Sequence, residues 1–220
     1  MIKLPDFERR WDYENNFYLS CHITRISKIL AAYELYKMVL AVPGHLVECG
    51  VFKGASLSRF AMFRSLLGSV YSKKIIAFDS FGSFPETQFQ DDIKTREKFI
   101  QDAGEQSISV EQMSEVLSRR GIAQNVELVS GDITLTVPEY VKNKPELKIS
   151  LLNLDTDIYE PAVTILEHLF PRIVRGGILI LDDYAAFPGE TKAVDDYLKS
   201  MHLRIQKFPF AMTPSYVIKD

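Results

Sequence analysis

Short apolar runs alternate along the chain with longer stretches of helical spacing, and the most telling runs end in acids. Leu151-Leu152-Asn153-Leu154-Asp155-Thr156-Asp157 and Gly177-Ile178-Leu179-Ile180-Leu181-Asp182-Asp183 each break off into two closely spaced carboxylates. An apolar run of this kind reads as a strand buried on both faces, the signature of a parallel sheet. His45–Val51, Lys74–Asp79 and Val126–Val129 read as further strands, and Leu203–Phe208 and Ser215–Lys219 as a closing pair, the second antiparallel as a hairpin partner. Thr24–Leu40, Gly54–Leu67, Ser109–Arg120, Glu160–Val174 and Thr191–Met201 carry apolar positions at helical spacing. Strands alternating with helices predict an α/β fold. Between Phe81 and Gly121 the pattern gives way to a long polar insertion, charged at Asp91-Asp92 and from Lys94 to Lys98, which reads as the mobile part of the chain.

Composition narrows the picture. A chain of 220 residues, 46% hydrophobic, buries a substantial core and fits one domain over 1–220, with an N-terminal lid or helix region over 1–41 and the insertion around 82–121. The net charge of -3 is spread among dispersed Lys and Arg, which argues against nucleic acid as a partner. The only cysteines are Cys21 and Cys49. Cys49 lies inside the apolar run Leu46–Val51, where a reduced buried thiol is expected, and this suits a cytoplasmic location. Met1-Ile2-Lys3-Leu4-Pro5-Asp6 has neither a signal peptide's apolar core nor the length of a membrane span, so no membrane is expected as a partner.

The acids at the strand ends carry the first chemistry. Adjacent strands lie about 4.8 Å apart, so Asp155, Asp182 and Asp183 fall within reach of one ion. Three clustered carboxylates repel, and a hard divalent cation such as Mg²⁺ relieves them. The plainer role for any one of these aspartates is to cap the helix that follows.

A second constellation is Glu48-Cys49-Gly50-Val51-Phe52-Lys53-Gly54, a strand running through a glycine turn into a helix. Such a turn lets backbone approach a ligand, and the helix start at Gly54 and Ser56 offers amide donors. It lacks the middle glycine of the dinucleotide-binding fingerprint. Asp79, with Ser80 beside it, ends the second strand where such folds bind ribose hydroxyls. Gly131 and Asp132 end the third, with Asp132 placed to accept from an adenine amine. Glu48, Gly50, Gly54, Ser56, Asp79, Ser80, Gly131 and Asp132 together describe an adenosine site. Glu48 and Gly50 also fit a tight turn with a buried acid. Trp11, Tyr13, Phe17 and Tyr18 form an aromatic cluster suited to a lid over the substrate or to an oligomer contact, and a homo-oligomer is expected.

Four ordered blocks carry a resemblance: Val42–Gly54, Phe78–Pro85, Leu154–Pro161 and Asp182-Asp183-Tyr184. With this spacing the chain resembles the macrocin O-methyltransferase family, whose members methylate sugar hydroxyls, over most of its length from Arg25 onward. The resemblance implies a doubly wound, Rossmann-like seven-stranded sheet, mostly parallel with a reversed C-terminal strand and helices on both faces. It implies S-adenosylmethionine and Mg²⁺ as cofactors, Asp155, Asp182 and Asp183 as metal ligands, and a sugar or glycoside as acceptor. Two departures stand out. Thr156 occupies a position that is usually glycine in the antibiotic-sugar members, and Phe208–Tyr216 holds no histidine to act as base. Asp157, two residues past a ligand, becomes the candidate base, with Tyr184 and His202 behind it. The alternatives are a metal-dependent glycosyltransferase using Asp155-Thr156-Asp157 and a non-catalytic adenosine-binding module. The first would not need the glycine turn together with Asp79 and Asp132.

Overall fold

The computed structural model describes residues 1–220. Seven strands form one sheet: β1 (His45–Cys49), β2 (Ile75–Asp79), β3 (Val126–Ser130), β4 (Ile149–Leu154), β5 (Ile173–Leu181), β6 (Gln206–Lys207) and β7 (Ser215–Ile218). Their order is β3-β2-β1-β4-β5-β7-β6. The first five in this order run parallel, and β7 pairs antiparallel with both β5 and β6. The doubly wound sheet with one reversed C-terminal strand is therefore present as expected.

Eight helices accompany the sheet: α1 (Arg10–Ser20), α2 (Ile23–Met38), α3 (Ala55–Leu67), α4 (Gln90–Ala103), α5 (Val110–Arg119), α6 (Ile133–Asn143), α7 (Tyr159–His168) and α8 (Pro188–Leu198). Alternation along each strand sends successive side chains to opposite faces. Val47, Cys49, Leu152, Leu154, Leu179 and Leu181 pack with Val137 of α6, Ile165 of α7 and Val194 of α8. Leu46, Leu151, Ile178 and Ile180 pack on the other face with Leu35 of α2, Phe60 of α3 and Met113 of α5. Both faces are buried, which is why the strands read as continuous apolar runs. Cys49 is a free, fully buried thiol. No helix is long and apolar enough to cross a membrane.

The structure departs from the sequence pattern in four places. The helix expected over Glu160–Val174 ends at His168, because Pro171 has no N–H to continue it; Phe170–Arg172 forms a short 3-10 turn and Ile173 already begins β5. The strand expected over Leu203–Phe208 is confined to Gln206–Lys207. The segment after Asp132, unassigned by its spacing, is α6. The insertion is regular rather than irregular. It holds both α4 and α5, and α4 escaped detection because its one buried residue is an aspartate, Asp92, which leaves no apolar stripe to read.

Register fixes the functional edge. Phe78, Cys49, Leu154 and Leu181 are successive partners across β2, β1, β4 and β5, so Asp79, Gly50, Asp155 and Asp182 all emerge just beyond one rung. Gly50 has φ +93, and a Cβ there would lie 1.7 Å from the Asp155 carbonyl oxygen. Only glycine lets the ends of β1 and β4 approach this closely.

Candidate active site

A cavity of about 260 Å³ opens at that edge, lined among others by Gly50, Phe52, Asp79, Ser80, Gly131, Asp132, Asp155 and Asp157. Its far wall comes from the insertion through Phe84, Pro85, Gln88, Phe99 and Glu105. Aromatic faces and carboxylates in one cleft suit a ligand with a flat ring and positive charge.

Asp79 is the most heavily bonded side chain in the cavity. Its Oδ2 accepts from the backbone N–H of Val51 at 2.7 Å and of Phe52 at 3.1 Å. Its Oδ1 accepts from Phe81 N at 2.6 Å and from the Ser107 hydroxyl at 2.8 Å. Phe52 and Phe81 sit at φ 48 and 49, so this one carboxylate holds two turns in the left-handed region that side chains disfavour. Ser107 Oγ also lies 2.7 Å from Phe52 O. Having a single proton, it can donate to Phe52 O and release one Asp79 acceptor site to a ribose hydroxyl.

The remaining sequence-derived positions divide. Ser80, Gly131 and Asp132 line the cavity with Asp79. Asp132 is also the N-cap of α6, its Oδ1 accepting from Thr134 N at 2.8 Å. Glu48, Gly54 and Ser56 are not among the lining residues. Glu48 points to the α2–α3 face of the sheet, where its Oε1 accepts from Ser56 Oγ at 2.6 Å and its Oε2 is buried without a partner. Gly54 starts α3 against Met113. The N-terminal aromatics do not close over the site: α1 has no buried residue, Trp11 is 67% exposed, and none of the cluster lines the cavity.

Burial raises the Glu48 carboxyl to about 8 from its ordinary 4.5. Below that ordinary value both folded and unfolded chains hold the proton. As pH rises towards 8 only the unfolded chain releases it, so stability falls by up to about 1.4 kcal/mol per pH unit. Glu48→Gln removes this penalty and keeps an acceptor for Ser56. Its advantage over wild type in urea melts is expected to widen steadily from about pH 5 to pH 8; parallel stability–pH curves would refute the buried-acid reading.

The acid triad is assembled. Asp155, Asp182 and Asp183 each offer an oxygen within 4.8 Å of the others. Burial first, then the charges of Asp182 and Asp183, push the Asp155 carboxyl well above its usual range. Asp183 is raised by burial and by Asp157 and Asp182, and its Oδ2 is buried without a partner. An all-oxygen donor set with an orphaned, mutually repelling carboxylate fits a hard divalent cation. Two features were not legible in the sequence. The ammonium of Lys28, on α2, contacts Asp182 Oδ2; burial would lower its pKa, but the charges of Asp182 and Asp155 outweigh that and raise it. Glu190, fully buried, donates its N–H to Asp157 O at 3.2 Å and accepts from Asp183 N through Oε1 at 3.0 Å. It lies inside α8 at no characteristic spacing from the triad, so only the packed structure reveals it.

Asp157 stands beside this group with φ 63. Burial, then the charge of Asp155, raises its carboxyl to about 8.

Residues 23–208 match the family model described as macrocin O-methyltransferase. Among curated relatives, a tetracenomycin rhamnosyl 4'-O-methyltransferase of Streptomyces olivaceus is 31% identical over 158 residues, covering 71% of this chain and 58% of its own. Mycinamicin III 3''-O-methyltransferase of Micromonospora griseorubida is 28% identical over 160 residues, covering 71% and 61%. The chain thus spans about three fifths of the length of these relatives. Of solved structures, the calicheamicin methyltransferase CalS11 superposes with a TM-score of 0.79 at 28% identity, over 94% of this chain and 84% of that one. The O-methyltransferase NovP gives 0.76 at 22% identity over 88% and 80%, a likeness of fold.

Proposed function

The chain belongs to the macrocin O-methyltransferase family, and from that premise we propose that it transfers a methyl group from S-adenosylmethionine to a hydroxyl of a sugar or sugar-bearing small molecule, with Mg²⁺ at Asp155, Asp182 and Asp183. The observation that carries this reading is the placement of three carboxylate oxygens within 4.8 Å of one another, one of them from Asp155, which lines the cavity together with Gly50, Asp79 and Asp132.

S-adenosylmethionine supplies a methyl group already activated on a sulfonium. In the transfer the acceptor oxygen would bond to that methyl carbon as the carbon–sulfur bond breaks, S-adenosylhomocysteine would be released, and the hydroxyl proton would pass to a base. Asp79 and Ser80 hold the ribose end, Gly50 admits the ligand close to backbone, and the insertion's Phe84 and Phe99 exclude water. Held by Asp155, Asp182 and Asp183, a Mg²⁺ ion would supply Lewis acidity to the acceptor hydroxyl and would favour the ionised form of Asp157. Asp157 takes the proton. The acceptor class is supported by the relatives, one of which is named for 4'-O-methylation of a rhamnosyl-tetracenomycin and another for 3''-O-methylation of mycinamicin III.

The direct test incubates the protein with methyl-labelled S-adenosylmethionine, Mg²⁺ and a panel of glycosides and nucleotide-linked sugars, and follows label in the acceptor. Transfer that stops on adding EDTA supports the reading. Absence of S-adenosylhomocysteine binding in calorimetry would overturn it.

Asp79→Ala gives a second check. Losing a charged acceptor from the ribose site is expected to cost about 1.5–3 kcal/mol of S-adenosylhomocysteine binding. It also releases Val51, Phe52 and Phe81, so the melting temperature should fall too. Ser107→Ala should leave affinity close to wild type. An Asp79→Ala protein with unchanged affinity would remove Asp79 from the cofactor site.

A further inference from the structure

One buried carboxylate fastens the insertion between β2 and β3 to the starts of two other helices at once. Asp92, in the first turn of α4, is fully buried. Its Oδ1 accepts from Gly189 N at 2.7 Å, and its Oδ2 from Tyr159 N at 2.9 Å. Tyr159 is the first residue of α7 and Gly189 the second of α8, so a single side chain satisfies orphan amides at the positive ends of two other helices. The fit is tight enough to require glycine: a Cβ at 189 would lie 1.9 Å from Asp92 Oδ2 and 2.5 Å from Tyr159 N. The contacts around it reinforce the join. Phe89 stacks on Tyr159 with ring centroids 4.9 Å apart, and Glu160 accepts from Gln88 N at 2.7 Å and from Thr87 Oγ1 at 2.9 Å.

The helices that Asp92 caps are those that start from the acid cluster. Asp157 lies two residues before Tyr159. Glu190 follows Gly189 and bonds to Asp157 O and to Asp183 N. On its other side, α4 carries Phe99, which packs on Phe84 at 5.5 Å between centroids, and both rings line the cavity. We propose that Asp92 is a positioning residue that fixes the cavity wall carried by the insertion to the loops bearing Asp157 and Asp183, so that the cofactor pocket and the acid cluster are assembled as one unit. The polar insertion is then not an independent flap. Its seating on α7 and α8 sets the geometry of both sites.

The proposal rests on the cavity holding S-adenosylmethionine, and its test separates the two. Asp92→Asn keeps the volume and one acceptor but turns an NH₂ group towards the second amide, which loses its partner. Two measurements follow: S-adenosylhomocysteine affinity by calorimetry, and backbone hydrogen exchange by mass spectrometry. Affinity is expected to fall about tenfold. Exchange should rise together in residues 84–108, 157–160 and 183–190, while β1, β4 and β5 stay as in wild type. A rise confined to the insertion, with affinity unchanged, would show a merely local role and overturn the proposal. Should the Asn variant fail to fold, Phe89→Ala removes the stack on Tyr159 without touching the carboxylate. It is expected to move the same three segments, and wild-type exchange there would also overturn the proposal. A wild-type protein that binds no S-adenosylhomocysteine would fail the cofactor reading, and the exchange pattern would still decide the role of Asp92.

Discussion

Asp155→Asn is expected to abolish Mg²⁺ binding and reduce methyl transfer by about 10³-fold or more, the scale of several kcal/mol that a bound ion contributes to charge and orientation in the transition state. The same substitution should make the ion-free protein more stable. Asp155 is held well above its usual carboxyl pKa by burial and by Asp182 and Asp183, so the folded state is penalised for its ionisation at neutral pH. An amide of the same shape carries no such cost. Asp182→Asn should lose activity equally but without the gain in stability, because it leaves Lys28 an uncharged acceptor and so takes the nearest opposite charge from a largely buried ammonium. The contrast is read in thermal melts with EDTA, Mg²⁺ calorimetry and turnover on an identified acceptor. Full turnover in excess EDTA would sink the metal assignment outright.

Asp157→Asn is expected to lower kcat by about 10²–10⁴-fold, the usual range for removal of a general base, with cofactor affinity little changed. The backbone should be undisturbed. Asp157 lies at φ 63, a conformation that asparagine tolerates as well as aspartate does. Loss of rate can therefore be assigned to the proton acceptor rather than to a collapsed loop. Near-normal kcat across the pH profile would remove Asp157 from the reaction and shift attention to Tyr184, whose hydroxyl is 2.8 Å from Asp195 Oδ1.

Much of this architecture is encoded locally. Strands buried on both faces announce themselves as apolar runs, so β1, β2, β4 and β5 were legible, as was the ending of each in Gly50, Asp79, Asp155 and Asp182. Parallel register then carries those endings to a common edge, which is why residues distant in sequence predicted a shared site. Amphipathic helices such as α5 and α7 were legible for the same reason: one face is apolar and the period shows. The short extent of β6, the early end of α7 at Pro171 and the existence of α4 were not legible, since each depends on packing or backbone chemistry that leaves no hydrophobic period.

The acid triad lies between these cases. Residue type and strand position put Asp155, Asp182 and Asp183 together, but the Lys28 ammonium on Asp182 comes from α2, a contact between elements far apart in the chain. Glu48 shows the opposite case. Its place beside Gly50 suggested the cofactor, yet the strict alternation of a strand turns it to the α2–α3 face, where burial and Ser56 define its chemistry. Asp92 and Glu190 were invisible for a related reason: a carboxylate that caps helices from another element, or that bonds to loops on either side of it, has no sequence spacing to announce it. By itself, then, the sequence determined the α/β class, the strand ends and the carboxylates gathered there, because hydrophobic period and residue type are local properties. The tertiary structure alone decided which of those side chains face the cavity, which charge meets Asp182 and how the insertion is fastened, because direction, burial and hydrogen-bond partners exist only once the elements have packed.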